Sequence, residues 1–285
     1  MSPRRALLLG GLVATAFIAA ACSLVDLSGF SSSATPANDA GALERDAPAN
    51  ASETDAGHSD ATIDPDPYGS VVRADAPVAW YRFEENAGAS TAKDEIAGRD
   101  ARVLGGNMGF GAAGIAGRGL ACDGTGTGFD VGDVFDFSGK VPFSLELWLA
   151  PKRQPAVDQR LFHKRDESAD PFRGYILYID RGDDTVQFEA WGPSLSAWTD
   201  APLPSTGFTH VVATISYATG KGNAKVWIDG KAQGHGGFDN VIDMPDTPQP
   251  LRLLERYEGA VDELAIYDKA LTEDRILEHH RVGKR

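Results

Sequence analysis

From residue 78 onward the chain breaks into short apolar runs separated by Gly, Asp, Asn and Pro. Phe143, Leu145, Leu147 and Leu149 recur at every second position, the period of a strand with one buried face. Residues 78–83, 174–179 and 210–215 are further strand candidates, the last rich in β-branched side chains. Residues 185–191 alternate again after an Arg181-Gly182-Asp183-Asp184 turn. Residues 224–228 and 231–233 flank Asp229-Gly230, a pair suited to the positive φ angles of a type I′ hairpin turn. Residues 261–267 form the last strand. A helical period appears only after it, with Thr272 as a cap, Glu273 and Asp274 in the first turn, and Leu271, Ile276 and Leu277 facing the sheet. Many short strands without intervening helices predict an all-β fold, an antiparallel β-sandwich or jelly roll with a short C-terminal helix.

The N-terminal quarter has another texture. Arg4 and Arg5 precede an apolar run, residues 6–20, of signal-peptide length and short for a membrane span. The run ends in Ala19-Ala20-Ala21-Cys22, which resembles a bacterial lipobox with Ala19 in place of the usual Leu. That resemblance implies lipidation of Cys22; ordinary cleavage at an Ala-x-Ala site is the alternative. Residues 31–68 carry eight acids against one base and almost no aromatic surface, so they are expected to form an extended, disordered tether. The expected organisation is a signal peptide (1–21), an acidic linker (22–68) and one β domain (69–285).

Composition narrows the function. Of 285 residues, 27 are Lys or Arg and 41 are Asp or Glu, a net charge of −14, which excludes a general nucleic-acid binder. Two cysteines cannot build a multi-disulfide scaffold, and Cys122 reads as a lone buried strand thiol.

Several segments together carry a family resemblance. They are Ala79-Trp80-Tyr81-Arg82-Phe83-Glu84-Glu85 followed by Asp94-Glu95, residues 117–124, Phe143 to Trp148, Phe208-Thr209-His210-Val211, Val226-Trp227-Ile228-Asp229-Gly230, and residues 259–267 with Ala270-Leu271-Thr272. In this order they resemble the laminin-G-like jelly roll of the concanavalin A-like lectin/glucanase superfamily. The resemblance implies the fold, which carries lectins, hydrolases, lyases and adhesion modules alike. It also implies a structural calcium near the opening and closing strands, with Asp262, Glu84, Glu85 and Asp94 as candidate ligands. From alternation, Asp262 shares a face with Leu264 and Ile266, where a buried carboxylate needs a metal, an ion pair or hydrogen bonds; Asp94 also reads as a turn-forming Asp.

Sugars are held by flat aromatic faces, so Trp191, Trp198, Tyr178 and Tyr257 are candidate ligand-binding residues, with core packing as the alternative. No paired-carboxylate, nucleophile-elbow, phosphate-loop or zinc pattern occurs. Glu146 points away from Leu145 toward a candidate groove face, Glu189 has Gln187 where a partner carboxylate would stand, and His163 with Lys164 and Arg165 reads as a basic loop. The resulting expectation is an exported, outer-membrane or cell-surface lipoprotein, or else a secreted protein. It would be a non-enzymatic module that binds carbohydrate or protein partners and meets the membrane only through its lipid anchor. A glycan-active hydrolase or lyase with a diverged site, and a structural envelope component, are the alternatives.

Overall fold

The computed structural model of the protein describes residues 64–190, 195–217, 221–236 and 243–285. The segment read as a signal peptide, Cys22, the acidic segment through residue 63, and Trp191 lie outside them. Among the described residues no helix is long and apolar enough to cross a membrane.

The described strands form two antiparallel sheets. The first runs in the order β14 (Lys231–Gln233), β13 (Asn223–Ile228), β12 (Thr209–Ser216), β7 (Phe143–Pro151), β17 (Glu258–Tyr267), β5 (Arg118–Asp123) and β4 (Met108–Ala113), with β1 (Ala79–Tyr81) also paired to β17. The second runs in the order β15 (His235–Gly236), β11 (Leu195–Trp198), β10 (Val186–Ala190), β9 (Arg173–Ile179), β8 (Gln159–Asp166), β16 (Leu251–Glu255), β6 (Gly128–Gly132), β3 (Ala101–Gly105) and β2 (Thr91–Ala92). Alternation puts Phe143, Leu145, Leu147 and Leu149 of the first sheet and Tyr175, Leu177, Phe188 and Leu253 of the second into one core between them. The Asp229-Gly230 turn adopts the expected left-handed pair, with φ of 51° and 78°, and joins β13 to β14 in register. Cys122 is buried and free, as expected.

Two helices cover the outer face of the first sheet. α1 (Pro67–Ala74) starts at Asp66, whose carboxylate accepts the Gly69 N–H at 3.0 Å, with Pro67 in the first turn. α2 (Glu273–Gly283) follows Thr272, which stands at the N-cap without a side-chain capping bond. Ile276 and Val282 pack inward with Tyr68, Val72, Trp80, Trp148, Trp227 and Tyr267 in a second apolar cluster. Leu277, expected to face the sheet, is exposed. Tyr68, placed in the linker by composition, is buried; its ring meets Trp148 edge-on at 6.1 Å, so the folded part begins before residue 69.

Beneath these helices lies Glu146, fully buried instead of facing a groove. Its carboxylate accepts bonds from Tyr267 Oη at 2.6 Å, Tyr68 Oη at 3.1 Å, His210 Nε2 at 2.7 Å and His279 Nδ1 at 2.9 Å. His279 also reaches Asp75 through Nε2 at 2.9 Å, and Trp148 Nε1 donates to Tyr68 Oη at 2.8 Å. His279, near the C-terminal end of α2, therefore bridges two carboxylates inside the domain. Burial alone would raise the Glu146 pKa, but the charge of His279 and the bonds from His210 and His279 hold it well below the usual carboxylate range. Burial alone would lower that of His279; Glu146 and Asp75 raise it instead.

The closing strand holds a second departure from strict alternation. The pairing of β17 with β7 shifts between Asp262 and Ala265, and Glu263 takes φ of 51°, which marks a β-bulge. The extra residue puts Asp262 on the outer face, opposite Leu264 and Ile266, beneath the 114–117 loop. Asp262 Oδ2 accepts the N–H groups of Ile115 at 2.8 Å and Ala116 at 3.3 Å, and Oδ1 accepts that of Glu263 at 2.9 Å. Burial pushes Asp262 up to about 7, against these bonds and with help from the charge of Glu84.

These shifts predict the pH dependence of stability. Glu146, depressed by folding, contributes above its ordinary value of 4.5 and loses that contribution as pH falls through the folded value. His279, raised by folding, contributes fully below 6.5 and loses its contribution as pH rises through the folded value. Asp262, raised from 3.8 to about 7, makes folding less favourable as pH climbs between those values. Thermal melting is therefore expected to peak at about pH 4–5 and to fall steadily toward pH 8; equal or higher melting at pH 8 contradicts this account.

Candidate functional site

With one sheet roofed by helices, the outer face of the nine-stranded sheet is the broad sheet surface left uncovered among the described elements. Its side chains follow from the pleat. Val186, Phe188 and Ala190 of β10 turn into the core, so Gln187 and Glu189 turn out. On the same face stand Tyr178 of β9, Trp198 of β11, Arg160, His163 and Arg165 of β8, and Arg252 and Glu255 of β16. Register aligns Trp198 with Gln187, Gln187 with Tyr178, and Tyr178 with Arg160 across four strands.

These groups bond to one another. Tyr178 Oη lies 2.9 Å from both Gln187 Oε1 and Glu189 Oε1. Arg165 donates to Glu189 at 2.6 Å and to Glu167 at 3.3 Å, and Arg160 donates to Glu167 at 3.0 Å. His163 Nδ1 meets Glu255 at 2.6 Å, with Arg160 3.7 Å from the same carboxylate, and Arg252 pairs with Asp130 of β6 at 2.9 Å. The result is a half-buried lattice of donors and acceptors in fixed positions. Burial pushes the Tyr178 hydroxyl well above its ordinary value, and the Glu189 charge adds to this. Burial would also raise Glu255 and Glu167, but the bond from His163 and the charge of Arg160 keep the first ionised, and Arg160 and Arg165 do the same for the second. Both are set as acceptors, whereas a general acid needs a raised pKa.

A cleft of about 490 Å³ opens at one corner, lined by Asp183, Thr185, Gln187, Trp198, Thr199 and Asp200. Asp183 accepts from the Thr185 N–H at 3.0 Å and its hydroxyl at 2.6 Å, so the predicted turn chemistry forms one wall of the cleft. At the opposite ends of the strands, in the connection between β8 and β9, Phe172 is exposed, with the Arg165 guanidinium 4.8 Å from its ring centre.

A family model described as Laminin_G_3, concanavalin A-like lectin/glucanases superfamily, matches residues 123–277, more than half of the chain. The chain belongs to this superfamily. Comparison with curated proteins returns no match. Among solved structures, domain 4 of AbnA, a GH43 extracellular arabinanase from Geobacillus stearothermophilus in complex with arabinotriose, is 20% identical, with a TM-score of 0.53 over 71% of this chain and 97% of that one. The binding domain of Paraclostridial Mosquitocidal Protein 1 is 14% identical, with a TM-score of 0.53 over 71% and 51%. Trypanosoma rangeli sialidase in complex with the inhibitor DANA is 16% identical, with a TM-score of 0.51 over 72% of this chain and 32% of the enzyme. The chain thus spans about a third of the sialidase, and at these identities the likenesses establish the superfamily fold alone.

The structure brings two of the four aromatic candidates together. Tyr178 and Trp198 share the open face through Gln187. Tyr257 is buried in the core with its hydroxyl on Ala260 O at 2.8 Å, because the tight turn between β16 and β17, with Leu254 and Arg256 at positive φ, folds it inward. Trp191 lies outside the described residues.

The residues that superfamily resemblance assigns to calcium are engaged mainly by backbone N–H groups, while Glu85 Oε2 is buried without a hydrogen-bond partner. Asp94 accepts four backbone N–H groups, from Trp80 and Ile96 on Oδ1 and from Ala97 and Arg99 on Oδ2. Asp262 accepts three, Glu84 accepts that of Arg118, and Glu85 Oε1 accepts that of Lys93 at 2.7 Å. A calcium site gathers oxygens around the ion, whereas here amide hydrogens point at these carboxylates. Among the described residues no three His, Cys, Asp or Glu side chains converge as metal ligands.

The sequence does not single out Arg160, Glu255 or Phe172, and Glu189, which lacks a partner carboxylate, has Arg165 as its partner on this face. His163 and Arg165, expected in a basic loop, are strand residues facing outward, while Lys164 between them turns inward to Asp133 at 2.7 Å and Asp136 at 2.9 Å. The alternation of 159–166 was the available signal, masked by its charged composition and by the bulge between Arg160 and Phe162.

Proposed function

We propose that this protein is a carbohydrate-recognition module tethered at a cell surface, binding glycan on the outer face of its nine-stranded sheet. The observation that carries this reading is the prearranged lattice around Tyr178, Gln187 and Glu189 beside Trp198, on the one broad sheet face that the two helices leave open. Hydroxyl-rich ligands need fixed donors and acceptors next to an aromatic surface, and this face supplies both. The likeness in fold to an arabinanase domain solved with arabinotriose supports the same class of ligand.

Export, and anchoring through Cys22, are part of the proposal. Replacing Cys22 with Ser is expected to move the protein from the membrane fraction to the soluble fraction; unchanged fractionation refutes the anchor.

Screening neutral and acidic glycans in calcium and in EDTA tests the binding reading. Trp198→Ala is expected to weaken the tightest glycan by about 2 kcal/mol, roughly 30-fold, as for an aromatic anchor. The reading fails if no glycan binds under either condition, or if the correctly folded variant binds as tightly as the parent.

A further inference from the structure

The open face has two ends. Trp198 stands at one end of the strands beside the cleft, and Phe172 at the other end, in the connection between β8 and β9. Phe172 belongs to this face because the guanidinium over its ring is that of Arg165, which also bonds the outward Glu189. Between Trp198 and Arg165 lie three interstrand steps, from β11 through β10 and β9 to β8. Along β9 the displacement runs from Tyr178, in register with Arg160, to Gly174, in register with Arg165. At about 4.8 Å per strand and 3.3 Å per residue, the diagonal is roughly 20 Å. Tyr178, Gln187, Glu189 and Arg165 lie along it, joined by hydrogen bonds.

The charged groups from Glu189 across β8 to β16 and β6 are paired, while the cleft beside Trp198 adds the carboxylates of Asp183 and Asp200. Glu189 pairs with Arg165, Glu167 with Arg160 and Arg165, Glu255 with His163 and Arg160, and Asp130 with Arg252. An acidic or basic sugar would have to break one of these pairs, whereas a hydroxyl can add to them as both donor and acceptor.

We propose that this face takes an extended, neutral oligosaccharide lying diagonally from Trp198 to Phe172, with Phe172 and Arg165 forming a distal subsite. A chain of several sugar units spans that distance and a disaccharide does not. This inference rests on the glycan-binding reading above and adds length, charge class and the second aromatic platform to it.

Calorimetric titration of the full chain with linear neutral oligosaccharides of two to six units (arabino-, xylo-, cello- and manno- series), and with oligogalacturonates of equal length, tests it. Affinity is expected to rise with length until the diagonal is filled, and neutral chains are expected to bind at least tenfold more tightly than acidic ones. Phe172→Ala should weaken the longest bound neutral oligosaccharide about five- to tenfold and leave the shortest unchanged, while Trp198→Ala should weaken both. Phe172 is exposed, so its variant is expected to melt with the parent. Equal affinity for short and long chains, preference for the acidic series, or an unchanged long-chain affinity in Phe172→Ala overturns the extended site while leaving glycan binding intact. Absence of binding at every length removes both readings.

Discussion

Replacing Glu146 with leucine is expected to lower the unfolding free energy by about 3–5 kcal/mol, because it strips the shared acceptor from a fully enclosed polar cluster. For a domain of this size the melting temperature should fall by roughly 6–20 °C. The cost arises from what remains. Tyr68, Tyr267, His210 and His279 all direct polar atoms at the Glu146 carboxylate, and no water can replace it without opening the helix roof. His279 would keep Asp75 at the end of α1 as a partner, so the two helices are expected to loosen together from the sheet before global unfolding. Faster hydrogen exchange in 67–74 and 273–283 than in β7 would register that loosening. Glu146→Gln, which preserves shape and one acceptor, should lose less than half as much. A loss under about 1 kcal/mol in the leucine variant would show that the cluster is not coupled as its distances imply.

Arg82→Met is expected to cost about 3 kcal/mol, with melting lowered by roughly 6–12 °C. Glu263 is fully buried and receives Arg82 Nη2 at 2.8 Å, Arg82 Nε at 3.0 Å and Trp80 Nε1 at 2.7 Å. The same guanidinium donates to Asp66 at 2.8 Å and 3.1 Å and lies 4.6 Å from the Trp80 ring centre. One side chain thus neutralises the bulged acid of β17 and holds the N-cap of α1. Adding Glu263→Leu should recover at least about 1 kcal/mol, since removing both charges costs less than leaving one buried and unpaired. Equal melting of the single and double variants would refute that coupling.

Much of the architecture is legible in the sequence. The period of two through 143–149, the Asp229-Gly230 turn and the helical period after Thr272 each depend on local backbone geometry, and each recurs in the structure. The family motifs were legible for the same reason, since they consist of strand residues whose neighbours in sequence are their neighbours on the sheet. Asp262 was placed on the wrong face because a bulge adds one residue without any compositional mark, and a one-residue slip inverts every later side chain. Tyr257 was misplaced because two positive-φ residues, Leu254 and Arg256, fold its turn inward, and neither is the glycine that would announce it. Phe172 was missed because a lone aromatic in a polar loop gains meaning only from the Arg165 that reaches it.

Glu146 and Glu189 show where local sequence stops. Each lies in an alternating strand, points away from the core and has apolar neighbours on both sides, so the period of two assigns them the same environment. By itself the sequence determined the sandwich, its inner face and the strands that carry both acids. Only the tertiary structure decided that segments 67–74 and 273–283, some 200 residues apart, converge over Glu146 and leave Glu189 open. Alternation records that a side chain leaves the core; what lies above it depends on contacts distant in sequence, and these make one outer face an interior and leave the other open.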